Sequence, residues 1–258
     1  MAPSTATPGR LANYRRGVEV LSAHQKSRRG APPYSLLINR PLGRRIAAWA
    51  HVFGLTPNTV SILSAICTAV GLVLMATLSP SIAAAIAIVV TLLGGYAVDS
   101  ADGQLARLTS GGSMAGEWLD HSLDMVKMSS FHAVILISAF RFDRDLGDWP
   151  LLTAIAFGII AVTSFFVFIL TDQLRRQSGG KGPERSQSIL FMVAGAPTDY
   201  GVQCLWLLTR PWPKVFFGGY ALLAVANLGY LAIGAVSRFG QLKTLDSQLA
   251  AAKVGTAS

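Results

Sequence analysis

Cysteine and acid are scarce in this sequence, and each scarcity excludes something. Only two cysteines, Cys67 and Cys204, occur in 258 residues. Both lie in apolar stretches, without the paired spacing of a zinc site or the density of a disulfide scaffold, so both read as packing residues. Charged residues make up 14% of the chain against 52% hydrophobic, and the mean hydropathy is +0.47. That balance excludes an ordinary water-soluble domain and makes the bilayer the natural solvent. The first 33 residues lack the apolar core of a signal peptide, and Glu19 is their only acid. Rich in Arg, Ser, Ala and Pro, residues 1–33 read as a disordered basic cytoplasmic tail, although acid-poor, Arg-rich composition also fits a transit peptide.

Positive charge and long apolar runs are what the chain does have. The net charge is +9 with a pI of about 10.0. Its basic residues stand at the ends of apolar runs, which argues against nucleic acid and for anionic lipid headgroups or a phosphorylated substrate. Tyr34 to Phe53 sets apolar side chains among Arg40, Arg44 and Arg45, the pattern of an amphipathic juxtamembrane helix. Thr56-Pro57-Asn58 then caps and opens the first spanning helix. Six stretches of roughly 20 apolar residues follow, near 57–78, 81–98, 122–140, 151–171, 189–209 and 215–236. An all-α, polytopic membrane domain over 34–240 is therefore expected, followed by a cytoplasmic tail over 241–258. The fifth span is interrupted by Gly195, Pro197, Thr198 and Asp199, and such backbone needs cover from protein or a cavity. Gly94-Gly95 and Gly218-Gly219 permit the close helix contacts that serve packing or a homodimer.

With the N-terminus cytoplasmic, that side holds nine Lys or Arg up to Arg45, then Arg107, four in 172–188 and three from Arg238 onward. The other side holds Arg141, Arg144, Arg210 and Lys214. Such a bias sets the orientation and turns the segment from Asp99 to Asp124 toward the cytoplasm.

Chemistry concentrates there. Asp99-Ser-Ala-Asp102-Gly103-Gln-Leu-Ala106-Arg107 is followed after eight residues by Gly116, then Asp120 and Asp124. On helices, acids three or four apart share a face, so Asp99 with Asp102 and Asp120 with Asp124 form two pairs able to converge. Four carboxylates at the edge of a membrane repel one another and are costly to desolvate, and divalent cations relieve both problems. Oxygen ligands suit Mg2+ or Mn2+, which leave coordination positions for substrate phosphates. Two such ions can stabilise an in-line displacement at phosphorus. Gly103, Ala106 and Gly116 let backbone approach a bulky ligand, and Arg107 can fork onto phosphate.

The run resembles the signature of the CDP-alcohol phosphotransferases, D-x-x-D-G-x-x-A-R-x8-G-x3-D-x3-D, and matches every fixed position. By that resemblance, Asp99, Asp102 and Asp120 ligate two metal ions, with Asp124 a further ligand and the base for the acceptor hydroxyl. Gly103, Ala106, Arg107 and Gly116 would line the CDP pocket. Glu117 and His121 flank Asp120 in a way that looks like the choline and ethanolamine phosphotransferase branch, which makes His121 a second candidate base; a helix-surface pair is the plainer reading. Lys127 lies one turn past Asp124 in an apolar segment, suited to a substrate phosphate in the cavity, or else to snorkelling or a structural pair with an acid. Arg175, Arg176, Lys181 and Arg185 suit an anionic acceptor, or simply mark a cytoplasmic loop. The resemblance implies a membrane transferase of phospholipid biosynthesis. It takes a CDP-linked donor, with CDP-diacylglycerol favoured by the compact body, and an alcohol or alcohol-phosphate acceptor, releasing CMP. A CDP-aminoalcohol donor with a diacylglycerol-type acceptor is the alternative. An ion-coupled transporter is the rival of another class, against which the sequence shows no internal repeat.

Overall fold

A computed structural model describes residues 9–23, 32–179, 193 and 195–255, all helical or connecting backbone with no strand. The expected disordered tail is corrected first. Arg10–Ala23 forms helix α1, in which Gly17 and Leu21 are buried. Gly17 approaches α2 (Arg40–Val52) so closely that a Cβ would stand 3.3 Å from that of Ala48. Tyr14 stacks on Trp49 with ring centroids 4.7 Å apart. A contact stripe this narrow leaves the composition polar, which is why composition alone suggests disorder. Residues 1–8 and 24–31 of that tail lie outside the described residues.

Between α1 and α2, Ser35–Asn39 winds as a π-helical turn in which the Arg40 amide bonds back five residues to the Ser35 carbonyl. Pro41, which has no amide hydrogen to offer an ordinary helical bond, follows at once. Helix α2 has the two faces expected of it. Gly43, Ala47, Ala48 and Ala50 are buried, while Leu37, Ile38, Leu42, Trp49 and Phe53 remain exposed across the turn and the helix.

Five described helices are long and apolar enough to cross a membrane. They are α3 (Pro57–Thr77), α4 (Ile82–Thr109), α5 (Met114–Phe142), α6 (Trp149–Gln177) and the membrane-crossing part of α8 (Pro213–Gly255). Thr56 caps α3 by accepting the Thr59 amide at 3.2 Å, with Pro57 in the first turn, as its sequence predicts. The span expected over 189–209 differs from the others. Its described part comprises a 3-10 turn (Ala196–Thr198), a seven-residue helix α7 (Tyr200–Trp206) and a second 3-10 turn (Leu207–Thr209). Pro197 removes an amide and Asp199 caps α7 afresh, so no continuous helix runs through these residues. Residues 189–192 and 194 lie outside the described residues. The expected C-terminal tail is helical as far as Gly255, as a continuation of α8.

Two features of the bundle position the site. Glycine brings α3 and α4 together, since a Cβ at Gly95 would lie 2.9 Å from Thr68 Oγ1, while Gly94 faces open space. Both α4 and α5 also outrun their apolar stretches. Helix α4 continues past Val98 to Thr109, turns through Ser110 in the left-handed conformation (φ 50°), and α5 restarts at Met114 under a Ser113 cap. Motif residues therefore sit on regular helix at the end of the bundle. The main hydrophobic core, with Leu92, Phe131, Ile135, Phe157, Phe216 and Phe217, lies beyond them, and a smaller cluster with Leu21, Ala47, Val60 and Leu105 backs the site.

Candidate active site

Carboxylate oxygens of Asp99, Asp102 and Asp120 lie within 4.8 Å of one another, and Asp124 belongs to an overlapping group with Asp120 and His121. The two acid pairs on α4 and α5 thus converge as the three- and four-residue spacings predict. Each carboxylate of α4 is held from outside the motif. Ser61 Oγ on α3 donates to Asp102 Oδ2 at 2.6 Å, and the Gly103 amide bonds Asp102 Oδ1. Ser64 Oγ stands 3.3 Å from Asp99 Oδ1 and 3.0 Å from the Gly95 carbonyl. Lys127 reaches across the pairs, with Nζ 3.2 Å from Asp99 Oδ2 and 2.5 Å from Asp124 Oδ1. Its ammonium also lies 5.7 Å and 5.5 Å from the ring centroids of Tyr96 and Tyr200.

A pocket of about 240 Å³ opens over this cluster. Tyr96, Asp99, Ser100, Asp102, Gly103, Gln104 and Arg107 of α4 form its floor and one side, and Asp120 and Asp124 of α5 another. Ser35, Asn39 and Arg40 close it from the π turn. Around Gly103, a Cβ would meet only the Arg107 guanidinium, at 3.7 Å, so the protein leaves that space to the pocket. Arg107 and Arg40 put two guanidinium groups at one pocket, and partial burial lowers the pKa of Arg40 below its ordinary value. Hard-oxygen donors fit a divalent ion here. Mg2+ holds its ligands at about 2.0–2.1 Å, so oxygens sharing an ion are separated by roughly 4 Å or less. The 4.8 Å span of the Asp99, Asp102 and Asp120 group is close to that separation.

Other motif residues stand apart from the pocket. Ala106 accepts the Ser110 and Gly111 amides through its carbonyl and so closes the end of α4. At Gly116 a Cβ would lie 3.1 Å from Ser113 Oγ and 3.2 Å from Asn58 Oδ1, so its smallness serves the fit of α5 onto the first turn of α3. Glu117 and His121 face α6, where they line a separate, mainly apolar cavity of about 640 Å³ with Trp118, Phe165, Phe166 and Gln173. Glu117 Oε1 meets Arg176 at 2.7 Å and Gln173 at 3.2 Å, closer than His121 Nε2 at 3.6 Å. Nδ1 of His121 has no hydrogen-bond partner among the described residues and lies 3.8 Å from Asp120 Oδ2. Arg175 and Arg176 pair with Asp172, and Lys181 and Arg185 lie outside the described residues.

Ser61 and Ser64 escaped the sequence reading although their signal was present. With Thr68 they place hydroxyls on one buried face of an otherwise apolar span. Arg40, Ser35 and Asn39 carried no such signal, because only the fold brings the juxtamembrane segment over α4.

The all-helical bundle thus brings paired aspartates of α4 and α5 together, in groups able to hold a metal ion, at a pocket that two arginines also line. The family model for CDP-alcohol phosphatidyltransferases matches residues 54–226, more than half of the chain, and the protein belongs to that family. Among solved structures, the chain is similar to Mycobacterium tuberculosis phosphatidylinositol phosphate synthase (PgsA1), determined with CDP-DAG bound. Identity is 22%, the match covers 79% of this chain and 92% of that one, and the TM-score is 0.54, a likeness of fold. No curated protein sequence matches significantly. The protein is thus an integral membrane CDP-alcohol phosphotransferase of phospholipid biosynthesis.

Proposed function

We propose that the protein transfers a phosphatidyl group from CDP-diacylglycerol to a small polar alcohol or alcohol phosphate at the cytoplasmic face and releases CMP. The observation that carries this reading is the single pocket in which four carboxylates face Arg40, Arg107 and the bare backbone of Gly103. Asp99, Asp102, Asp120 and Asp124 would hold two divalent ions, Mg2+ or Mn2+, whose charge offsets that of the donor diphosphate. Arg107 and Arg40 then donate to its oxygens. The acceptor oxygen forms a bond to the phosphatidyl phosphorus as the bond to CMP breaks, and Asp124 takes the hydroxyl proton. Lys127 contacts Asp99 and Asp124, the structural pair with an acid that its sequence position also allows, so its role is to fix these acids.

CDP-DAG in the fold relative supports the choice of donor. Against the aminoalcohol alternative, Glu117 is engaged by Arg176 and Gln173, so it does not orient His121 as a base. Purified protein supplied with radiolabelled CDP-diacylglycerol, CDP-choline or CDP-ethanolamine tests the reading. CMP release from the first is expected, whereas turnover of an aminoalcohol donor alone would replace it with the alternative.

A further inference from the structure

One wall of the pocket comes from chain that carries no motif residue. Ser35, Asn39 and Arg40 belong to the π turn or adjoin it, and such turns are rare, poorly bonded helix. Gln104 Nε2 holds one end of the wall through the Arg40 carbonyl at 3.1 Å. The other end is held by Asp199, whose side chain is 1% exposed. Its Oδ2 accepts the Ser35 amide at 3.0 Å, the Tyr34 amide bonds the same carboxylate, and Oδ1 accepts the Gly201 amide at 3.0 Å. Two oxygens that only accept are required, because an amide side chain would turn N–H groups toward at least one of these donors. Behind Asp199, the Pro197 carbonyl accepts from Gln203 at 3.2 Å and from Asn227 of α8 at 2.8 Å. Tyr34 then packs over Gly201, where a Cβ would stand 2.0 Å from its ring, and stacks on the pocket residue Tyr96 with centroids 6.2 Å apart.

We infer that Asp199 is a positioning residue for donor binding, clasping the start of the π turn so that Arg40 faces the donor diphosphate opposite Arg107. The inference rests on reading this pocket as the donor site. A carboxylate that only stabilised the fold would affect the melting temperature and the amount of active enzyme. A clasp on Arg40 affects donor affinity instead.

The test compares wild type, Asp199→Asn, Arg40→Gln and the double variant in nanodiscs. It measures kcat and KM for CDP-diacylglycerol, calorimetric binding of CDP with Mg2+, and thermal midpoints. Losing a charge-assisted contact predicts that each single variant raises the donor KM and the CDP Kd about ten-fold while kcat stays within about two-fold. The double variant should be no worse than Arg40→Gln, because both changes remove one contact. Effects that multiply, a fall in kcat at unchanged KM, or a changed thermal midpoint alone would overturn the clasp. Should Asp199→Asn fail to fold, Arg40→Gln still decides, since an unchanged CDP Kd there removes the contact the clasp is meant to aim. A wild type that binds no CDP overturns the donor-site reading and this inference with it, whereas binding by wild type and variants alike overturns the inference alone.

Discussion

Two of the places where the described residues bury charge are built differently. Near the end of α5, Asp143 and Arg210 are 2% and 5% exposed and pair with each other, and Ser138 accepts a further guanidinium bond at 3.1 Å. One cation matches one acid, and the site is closed. Toward the opposite end of α5, four aspartates line one pocket, and Lys127 pairs with two of them, Asp99 and Asp124. A balanced buried pair braces the fold, whereas carboxylates in excess at a cavity form a group able to hold a cation.

Substitutions can break this contrast. The largest expected effect is at the open site: Asp99→Asn, Asp102→Asn or Asp120→Asn abolishes CMP release while protein remains folded in detergent, and excess EDTA does the same to wild type until Mg2+ or Mn2+ is restored. Wild-type turnover in EDTA would remove metal from the reaction. Asp124→Asn should lower the maximal rate by about 10² to 10⁴-fold, the usual worth of a general base, with donor binding retained. His121→Ala should keep most activity, and collapse of that variant instead would move the proton to His121. At the closed site, Asp143→Asn should cost about 3–5 kcal/mol of stability, read as a lower thermal midpoint, while molecules still folded keep their kcat. Loss of catalysis without loss of stability there would erase the distinction. The smallest effect belongs to Ser61→Ala, which removes the 2.6 Å bond to Asp102 and should weaken Mg2+ binding about ten-fold, as loss of a ligand's supporting bond commonly does. Titration calorimetry of the metal alone measures it.

The convergence of the acids at the candidate site was legible from spacing because they lie on regular helix, where three- and four-residue intervals translate directly into shared faces. The same logic located α3, whose Thr56 and Pro57 form an ordinary helix start. What escaped was tertiary. Ala106 and Gly116 fit a motif-lined pocket by position, yet their contacts are to the α4 terminus and to Asn58. Glu117 and His121 fit a catalytic dyad by interval, but Arg176 on α6 competes for Glu117, and no local rule shows which helix packs there. Helix α1 was hidden by polar composition, since a narrow stripe with Tyr14, Gly17 and Leu21 is enough to dock it. The stretch 189–209 reads as a span by its apolar residues, but Pro197 and Asp199 suit a turn, and in its described part local backbone chemistry prevailed.

Four residues, Ser110 to Ser113, separate α4 from α5, and their compactness has a consequence for how the gene can vary. Each residue of a helix advances its face by about 100°. An extra codon after Ser113 would therefore swing Asp120 and Asp124 away from α4, however well the helix itself formed. The eight residues between Arg107 and Gly116 thus act as a phase lock that sets the face on which α5 presents its acids to α4.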